Sequence, residues 1–367
     1  MKCIVHIGTE KTGTKTIQEF LHINRSILMR NGYAFAQSAG LRNDERLALA
    51  AYNPDRMDFL RKQKGLASDQ RLEQHRHELF AELQAELHEI GPGHTVLFSS
   101  ELIQSRLRTA EELQRLKAML NALGFADIQV LVYLRKPVDI ATSLYSTAVT
   151  NGITEAPPPP DDEYFGNICD HRQTLLRFRA VFGDRCVKPR IHEPGAFVGG
   201  TLLSDFMDSI GLADAGAELQ YPTPQNPSLP RLAIELLRRI NRDVPMLDQN
   251  DRPNRVRIGL VKMVRNAFDS GPRYVLSPEL RLAYANAFAD GNEWVRKEYF
   301  PDREYLFTPV PEPDHAPPGI EDEEFDAISR FVSDVWLYNT KSLLAITDSK
   351  SYQIAERLSR LKTRLWH

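Results

Sequence analysis

The sequence predicts an α/β fold, a doubly wound parallel sheet flanked by helices, with a helical insertion and a helical C-terminal region. Two observations predict it. Short runs with β-branched content, at residues 3–7, 95–98, 128–134 and 186–191, are apolar on both faces, as strands covered on both sides of a parallel sheet must be. Helix-type patterns follow the first three, as with Ile17, Phe20, Leu21, Ile27 and Leu28 after the first. Right-handed crossovers then distribute those helices over both faces of one sheet.

Between the first two runs lies a long helical excursion, residues 42–90, in which Leu72, Leu79, Leu83 and Leu87 recur at helical spacing. A helix after the third run ends near Asn151-Gly152, ahead of the segment APPPPDD at 156–162, which suits neither a helix nor a central strand. From about residue 200 the pattern is mostly helical, including 230–240 and 280–299. A Pro-rich stretch at 308–319 reads as a linker, and a basic amphipathic helix at 354–365 reads as a docked surface helix. The expected organisation is an α/β core over residues 1–215 and a mainly helical part, 216–367, packed on the same core.

Hydrophobic residues make up 42% and charged residues 26% of the chain, the balance of a globular protein. Lys and Arg number 46 against 49 acidic residues, which gives no argument for nucleic acid or an anionic membrane as partner. Any anion site must be built locally. The three cysteines, Cys3, Cys169 and Cys186, have no CxxC spacing and no His cluster beside them, against a disulfide framework and against structural zinc. The first apolar run starts at residue 3, leaving no room for a signal peptide ahead of it, and the longest apolar stretch falls far short of the ~20 residues of a membrane span. The expectation is a cytoplasmic protein.

The first run leads directly into Gly8-Thr9-Glu10-Lys11-Thr12-Gly13-Thr14-Lys15-Thr16, after which a helix begins. A strand, a Gly-containing loop and a helix N-terminus make an anion site from backbone N–H groups and the helix dipole. Gly8 and Gly13 allow the backbone angles, Lys11 adds a full charge, and Thr12, Thr14 and Thr16 offer hydroxyls. The loop is not a Walker A motif, which places Lys directly after the second Gly, where this chain has Thr14. The third run ends at Arg135-Lys136-Pro137, with Pro137 suited to a helical first turn and Ser143 two turns on. Arg135 therefore sits at the carboxyl end of a strand, where open α/β sheets bind ligands.

The order Lys11-Thr12-Gly13-Thr14 at a strand end resembles the 5′-phosphosulfate loop of the sulfotransferase family, whose fold is P-loop NTPase-like. Arg135 with Ser143 eight positions later resembles that family's 3′-phosphate motif. The resemblance covers the first ~215 residues best, with weaker traces at 199–206 (GGTLLSDF) and 226–229 (NPSL). It implies that the donor is 3′-phosphoadenosine 5′-phosphosulfate (PAPS). Lys11, Thr12, Gly13, Thr14, Lys15 and Thr16 would then hold the 5′ end, and Arg135 and Ser143 the 3′-phosphate. Lys15 stands where the family commonly has Thr, and no RKGxxGDWK-type segment occurs; Arg190 is a candidate to replace it.

The second run ends at Ser99-Ser100-Glu101, again on the ligand side of the sheet. A carboxylate there can serve as general base when an apolar pocket raises its pKa, and carbohydrate-type members of the family use a Glu after this strand. Glu101 is equally suited to the first turn of a helix capped by Ser99 or Ser100. His6 is the rival base, and also reads as a hydrogen-bonded core residue. Lys11 would stabilise charge on the bridging oxygen and 5′-phosphate, with no metal in the mechanism. The expected acceptor is a hydroxyl on a carbohydrate or glycolipid. Arg42, Arg46, Tyr52, Arg56, Arg61 and Lys62 in the excursion read either as contacts to a polar or anionic glycan or as a solvated helix face. A P-loop kinase or NTPase and a catalytically inert nucleotide-binding scaffold are the other readings of this sequence.

Overall fold

The computed structural model describes residues 1–212, 218–223, 229–247, 252–309 and 322–347, with 349, 352 and 354 singly. Residues 226–228 of the NPSL trace, most of the 308–319 linker and nearly all of the 354–365 helix lie outside the described residues. The chain forms two compact units. One comprises Met1–Thr147, Ala156–Pro227 and Leu276–Asp314; the other comprises Ala148–Glu155, Ser228–Val275 and His315–His367. The two units interleave along the chain, residues 276–314 returning to the first. The reason is hydrophobic: Val295, Leu306 and Phe307 are buried in the same apolar cluster as strand residues Cys3, Val5 and Ile7.

The first unit is built on a five-stranded sheet of β1 (Lys2–His6), β2 (Tyr33–Phe35), β3 (Thr95–Ser99), β4 (Asp127–Leu134) and β5 (Val187–Ile191). The spatial order is β2-β3-β1-β4-β5 and every pairing is parallel. The four expected strands are present, and β2 is the addition. Three residues are too few to show a sequence period, so Tyr33–Phe35 is invisible without its partner β3.

Its helices are α1 (Thr14–Ile23), α2 (Arg25–Arg30), α3 (Glu45–Ala51), α4 (Phe59–Gln63), α5 (Asp69–Ile90), α6 (Glu101–Arg106), α7 (Ala110–Ala122), α8 (Pro137–Thr150, with its last residues in the second unit), α9 (Glu163–Cys169), α10 (His171–Phe182) and α11 (Leu202–Ile210). The second unit holds α12 (Arg231–Asp243) and α13 (Leu260–Ala267). The chain then returns to the first unit for α14 (Pro278–Ala287) and α15 (Ala289–Tyr299), and ends in the second with α16 (Asp322–Thr347). One continuous helix over 280–299 is not what forms: Phe288, at φ −108° and ψ 6°, separates α14 from α15.

Strand alternation sorts the core into two layers. Cys3, Val5 and Ile7 of β1 and its extension face one cluster, which gathers Leu47 and Ala48 of α3, Leu79 and Leu83 of α5, Leu116 of α7 and Phe178 of α10. Ile4 faces the other, with Ile17, Phe20 and Leu21 of α1, Leu28 of α2 and Phe206 of α11. Each such fully buried Leu, Ile or Phe side chain contributes about 1.5–3 kcal/mol through burial. Helices therefore cover both faces, as the apolar runs require.

Helix starts follow from local chemistry. Thr109 accepts from the Glu112 N–H while the Glu112 carboxylate reaches back to Thr109, a reciprocal cap that opens α7. Ser68 and Asp170 accept from N–H groups in the first turns of α5 and α10. Pro137 opens α8, where its fixed φ fits and its missing N–H costs nothing.

Candidate active site

The sheet aims the loop. Beyond β1, Ile7 and Thr9 donate their N–H groups to Leu131 and Tyr133 of β4 at 2.9 and 3.0 Å, and Ser100 donates to His6 at 2.9 Å. Gly8 has φ 92°, and a Cβ there would stand 3.1 Å from the Glu101 Cα and Cβ, so this glycine allows the close approach of the loop to α6. Gly13 has φ 75°, and a Cβ would collide with the Leu202 side chain. The loop closes as Gly13 accepts from the N–H of Thr16 at 2.9 Å and of Ile17 at 3.2 Å, starting α1.

A cavity of about 320 Å³ opens at this carboxyl end of the sheet, within the size range of small-molecule sites. Lys11, Gly13, Thr14, Lys15 and Thr16 of the loop line it, together with Glu10, Glu19, Glu101, Ser143, Thr147, Pro222 and Thr223. The N-terminus of α1, with its leading N–H groups, thus borders the same space as two lysines.

Lys11 adopts φ 66°, unusual for a residue with a side chain. Its Nζ donates to Thr147 Oγ1 on α8 at 2.7 Å. Burial lowers its pKa; the Glu10 and Glu101 carboxylates oppose that shift, and Lys15 and Arg135 add to it. The Arg135 guanidinium donates through Nη1 to the Lys11 carbonyl at 2.6 Å. The residues named for the two ends of one nucleotide are thus physically joined: Arg135 braces the loop, and Ser143 faces the same cavity as Lys11. Behind Arg135, its own carbonyl lies 2.7 Å from His171 Nε2.

The loop threonines divide. Thr12 is fully buried and its hydroxyl donates to the Thr9 carbonyl at 2.6 Å, so it braces the turn and does not line the cavity. Thr14 makes a longer bond to the same carbonyl, 3.4 Å, and does line the cavity.

Glu101 begins α6 with its carboxylate among the cavity residues. Gln18 Nε2 donates to Oε2 at 3.0 Å and Asn43 Nδ2 to Oε1 at 3.4 Å. Burial raises the Glu101 pKa, and the hydrogen bonds from its own N–H and from Gln18 oppose that shift. Ser100 makes no side-chain cap; its hydroxyl donates to Asn43 Oδ1 at 2.7 Å. His6 is elsewhere. It is buried in the sheet, with Nδ1 2.8 Å from Ser99 Oγ and its ring edge-on to Tyr133 and Phe206. Burial pushes its pKa down to about 3, and it is not among the cavity residues. The core reading of His6 is the one its surroundings match.

Sequence reasoning missed several residues that support the site from behind its lining. Gln18 and Asn43 carry no motif. Tyr164 of α9 donates its hydroxyl to Glu10 Oε1 at 2.6 Å, fixing the carboxylate next to Lys11. His192, just past β5, has its pKa pushed down to about 4 by burial, and its Nε2 lies 3.8 Å from where a Gly13 Cβ would be. Its position directly after the 186–191 run is the one signal that could have found it.

The excursion arginines are engaged internally. Arg42 pairs with Glu19 at 2.9 Å, Arg46 with Glu82 at 2.6 Å and Arg56 with Glu112 at 2.5 Å. Arg61 is fully buried, donating to the carbonyls of Leu66, Pro54 and Arg56 and to Asp69. Tyr52 is buried, with its hydroxyl on Asp58. Arg190 lies within β5 and pairs with Asp205 and Asp208 at 2.6 and 2.9 Å. These are the contacts of a braced scaffold, and they replace the picture of a free cationic face.

No family model matches the chain. An uncharacterized protein of Archaeoglobus fulgidus is 26% identical over 172 residues, covering 47% of this chain and 46% of that protein. The chain thus spans about half the length of the curated relative it matches. A sulfotransferase from Alicyclobacillus acidocaldarius is similar in structure, with a TM-score of 0.38 and 17% identity over 66% of this chain and 93% of its own. Among the described residues, no helix is long and apolar enough to cross a membrane, and no group of three or more His, Cys, Asp or Glu side chains is arranged to hold a metal ion.

Proposed function

We propose that this protein is a sulfotransferase that moves a sulfuryl group from PAPS to an acceptor hydroxyl, on a carbohydrate or a glycolipid. One observation carries the reading. The Lys11 loop and Ser143 line a single cavity, and Arg135, outside that lining, is bonded to the Lys11 carbonyl, which supports assigning the two sets implied by the resemblance to one adenine nucleotide.

In this reading the loop N–H groups, Lys11, Thr14, Lys15 and Thr16 receive the 5′-phosphosulfate, and Arg135 and Ser143 the 3′-phosphate. Glu101 takes the acceptor proton as the acceptor oxygen bonds to sulfur. The bond from sulfur to the bridging oxygen breaks in line, its electron pair staying on the departing 5′-phosphate. Lys11 stabilises that charge, and no metal takes part. The excursion arginines Arg42, Arg46 and Arg56 are already paired with carboxylates, which favours a neutral acceptor over a polyanionic glycan that would need free cations to meet it.

The test is a titration with adenosine 3′,5′-bisphosphate and with ADP plus Mg²⁺, read by thermal shift and calorimetry. The bisphosphate should bind at least tenfold more tightly than ADP. Arg135→Ala should erase most of that preference, because a hydrogen bond to a charged group is worth about 1.5–3 kcal/mol. Preference for ADP with Mg²⁺ would move the protein to the kinase or NTPase class. Bisphosphate binding without transfer to any of a broad panel of glycans and phenols would mark an inert scaffold.

A further inference from the structure

We propose that Gln18 and Asn43 are positioning residues for Glu101, holding its carboxylate ionised and turned toward the cavity; this rests on the reading of Glu101 as the base.

The geometry is a closed chain of hydrogen bonds. Gln18, on α1, is buried, and its Nε2 bridges the Ser99 carbonyl at 3.2 Å and Glu101 Oε2 at 3.0 Å. With both acceptors on that one nitrogen, the orientation of the Gln18 amide is fixed. Asn43 is oriented from the other side: Ser100 Oγ donates to its Oδ1 at 2.7 Å, which turns its NH₂ toward Glu101 Oε1. The next residue, Asp44, anchors this segment behind the strand. It is fully buried, donates its N–H to the Ser99 carbonyl at 3.0 Å and accepts from the Ser99 N–H at 2.5 Å. Each Glu101 oxygen therefore meets one neutral side-chain donor, beside the hydrogen bond from its own N–H, and those side chains come from two elements pinned to the end of β3.

Such an arrangement suits a general base better than an ion pair does. A cationic partner would stabilise the carboxylate so strongly that its proton affinity would collapse. Two amides instead counter part of the burial penalty while leaving the carboxylate lone pairs not used by Gln18 and Asn43 free for an acceptor proton. Among the charged groups around Glu101, Glu10 raises its pKa, Lys15 and Lys11 favour the ionised form, and Glu19 of α1 borders the same cavity while paired with Arg42. Gln18 and Asn43 are the neutral members of the set.

The experiment uses the full chain labelled with carboxyl-¹³C glutamate, the Glu101 resonance being identified as the one missing in Glu101→Gln. Its titration midpoint should rise by about half to one pH unit in Gln18→Met, which keeps the volume and removes the donor. Asn43→Asp keeps an acceptor for Ser100 but sets a like charge against Oε1, and should raise the midpoint further. If Gln18→Met does not fold, as judged by thermal melting, Asn43→Ala at the half-buried position carries the same test. Midpoints unmoved in the folded variants overturn the proposal. The base reading is tested separately, by release of adenosine 3′,5′-bisphosphate from PAPS with neutral p-nitrophenyl glycosides as acceptors. Loss of release in Glu101→Gln beside unmoved midpoints would leave the base standing and remove only the positioning residues. Full release in Glu101→Gln would remove the base and, with it, their role.

Discussion

The excursion and the cavity rim handle charge in opposite ways. In the excursion, Arg42, Arg46, Arg56 and Arg61 all meet carboxylates. At the rim, Lys11 meets the Thr147 hydroxyl, Glu101 two amides and Glu10 the Tyr164 hydroxyl. A charge balanced by an opposite charge is already satisfied and serves the fold. A charge held by a neutral group keeps most of its field, and a ligand can use it. Glu19, which borders the cavity but pairs with Arg42, stands between the two groups.

The largest effect should come from the rim. Lys11→Ala removes a cation aimed at charge that develops only during transfer, so bisphosphate release from PAPS should fall about 10²–10³-fold. The alanine forfeits the Thr147 contact but leaves the Arg135 brace, which uses the Lys11 carbonyl; the melting temperature should therefore change little. Unchanged turnover would break the comparison at its centre, since a lysine held by a hydroxyl would then be idle.

Arg56→Ala should do the reverse, costing stability and sparing the donor site. It leaves the Glu112 carboxylate, whose side chain is fully buried, without its cation, a loss worth about 3 kcal/mol in urea unfolding. Glu112 also accepts the N–H groups of Asn53, Arg108 and Thr109, which keeps the loss toward the low end. The pH dependence has a definite sign. Hydrogen bonds from Arg56 and Asn53 outweigh burial and hold the Glu112 pKa below its usual value. Its contribution is thus present above the unfolded-state carboxylate pKa and fades as pH falls through the lowered one. The stability gap between wild type and Arg56→Ala should narrow on acidification; a gap that widened would contradict the assignment.

What was legible in the sequence follows the same division. The strand runs, the Gly8–Thr16 loop and the Pro137 helix start are local signals, written in hydrophobicity and backbone preference, and β1, β3, β4 and β5 appear within a residue or two of them. That Lys11, Glu101 and Ser143 share one cavity follows from parallel strand order, because every β-to-α turn opens at the same end. The partners were not legible. Nothing local tells Asn43 that it will meet Ser100, or Arg190 that it will meet Asp205, because these contacts depend on where α11 and the start of α3 come to rest. Arginine-rich helical sequence therefore read equally as a glycan contact or a solvated face, and neither reading includes the carboxylates that Arg42, Arg46 and Arg56 meet.

The smallest effect sharpens that last point. Arg46 forks onto Glu82 through Nη1 and Nη2 and also donates to the Ser38 carbonyl, yet Glu82 is largely exposed and the pair is reached by solvent. Discounted for screening, Arg46→Ala should cost about 0.2–1 kcal/mol, less at high salt than at low. The hydrogen bond from Arg46 holds the Glu82 pKa below its usual value, so the small contribution exists above the unfolded-state carboxylate pKa and fades as pH falls through the lowered one. Bisphosphate affinity and turnover on neutral glycosides should not move. A fall in turnover confined to anionic acceptors would mean that the guanidinium leaves Glu82 to meet substrate, and the line drawn between satisfied and available charge would then have to pass through the excursion itself.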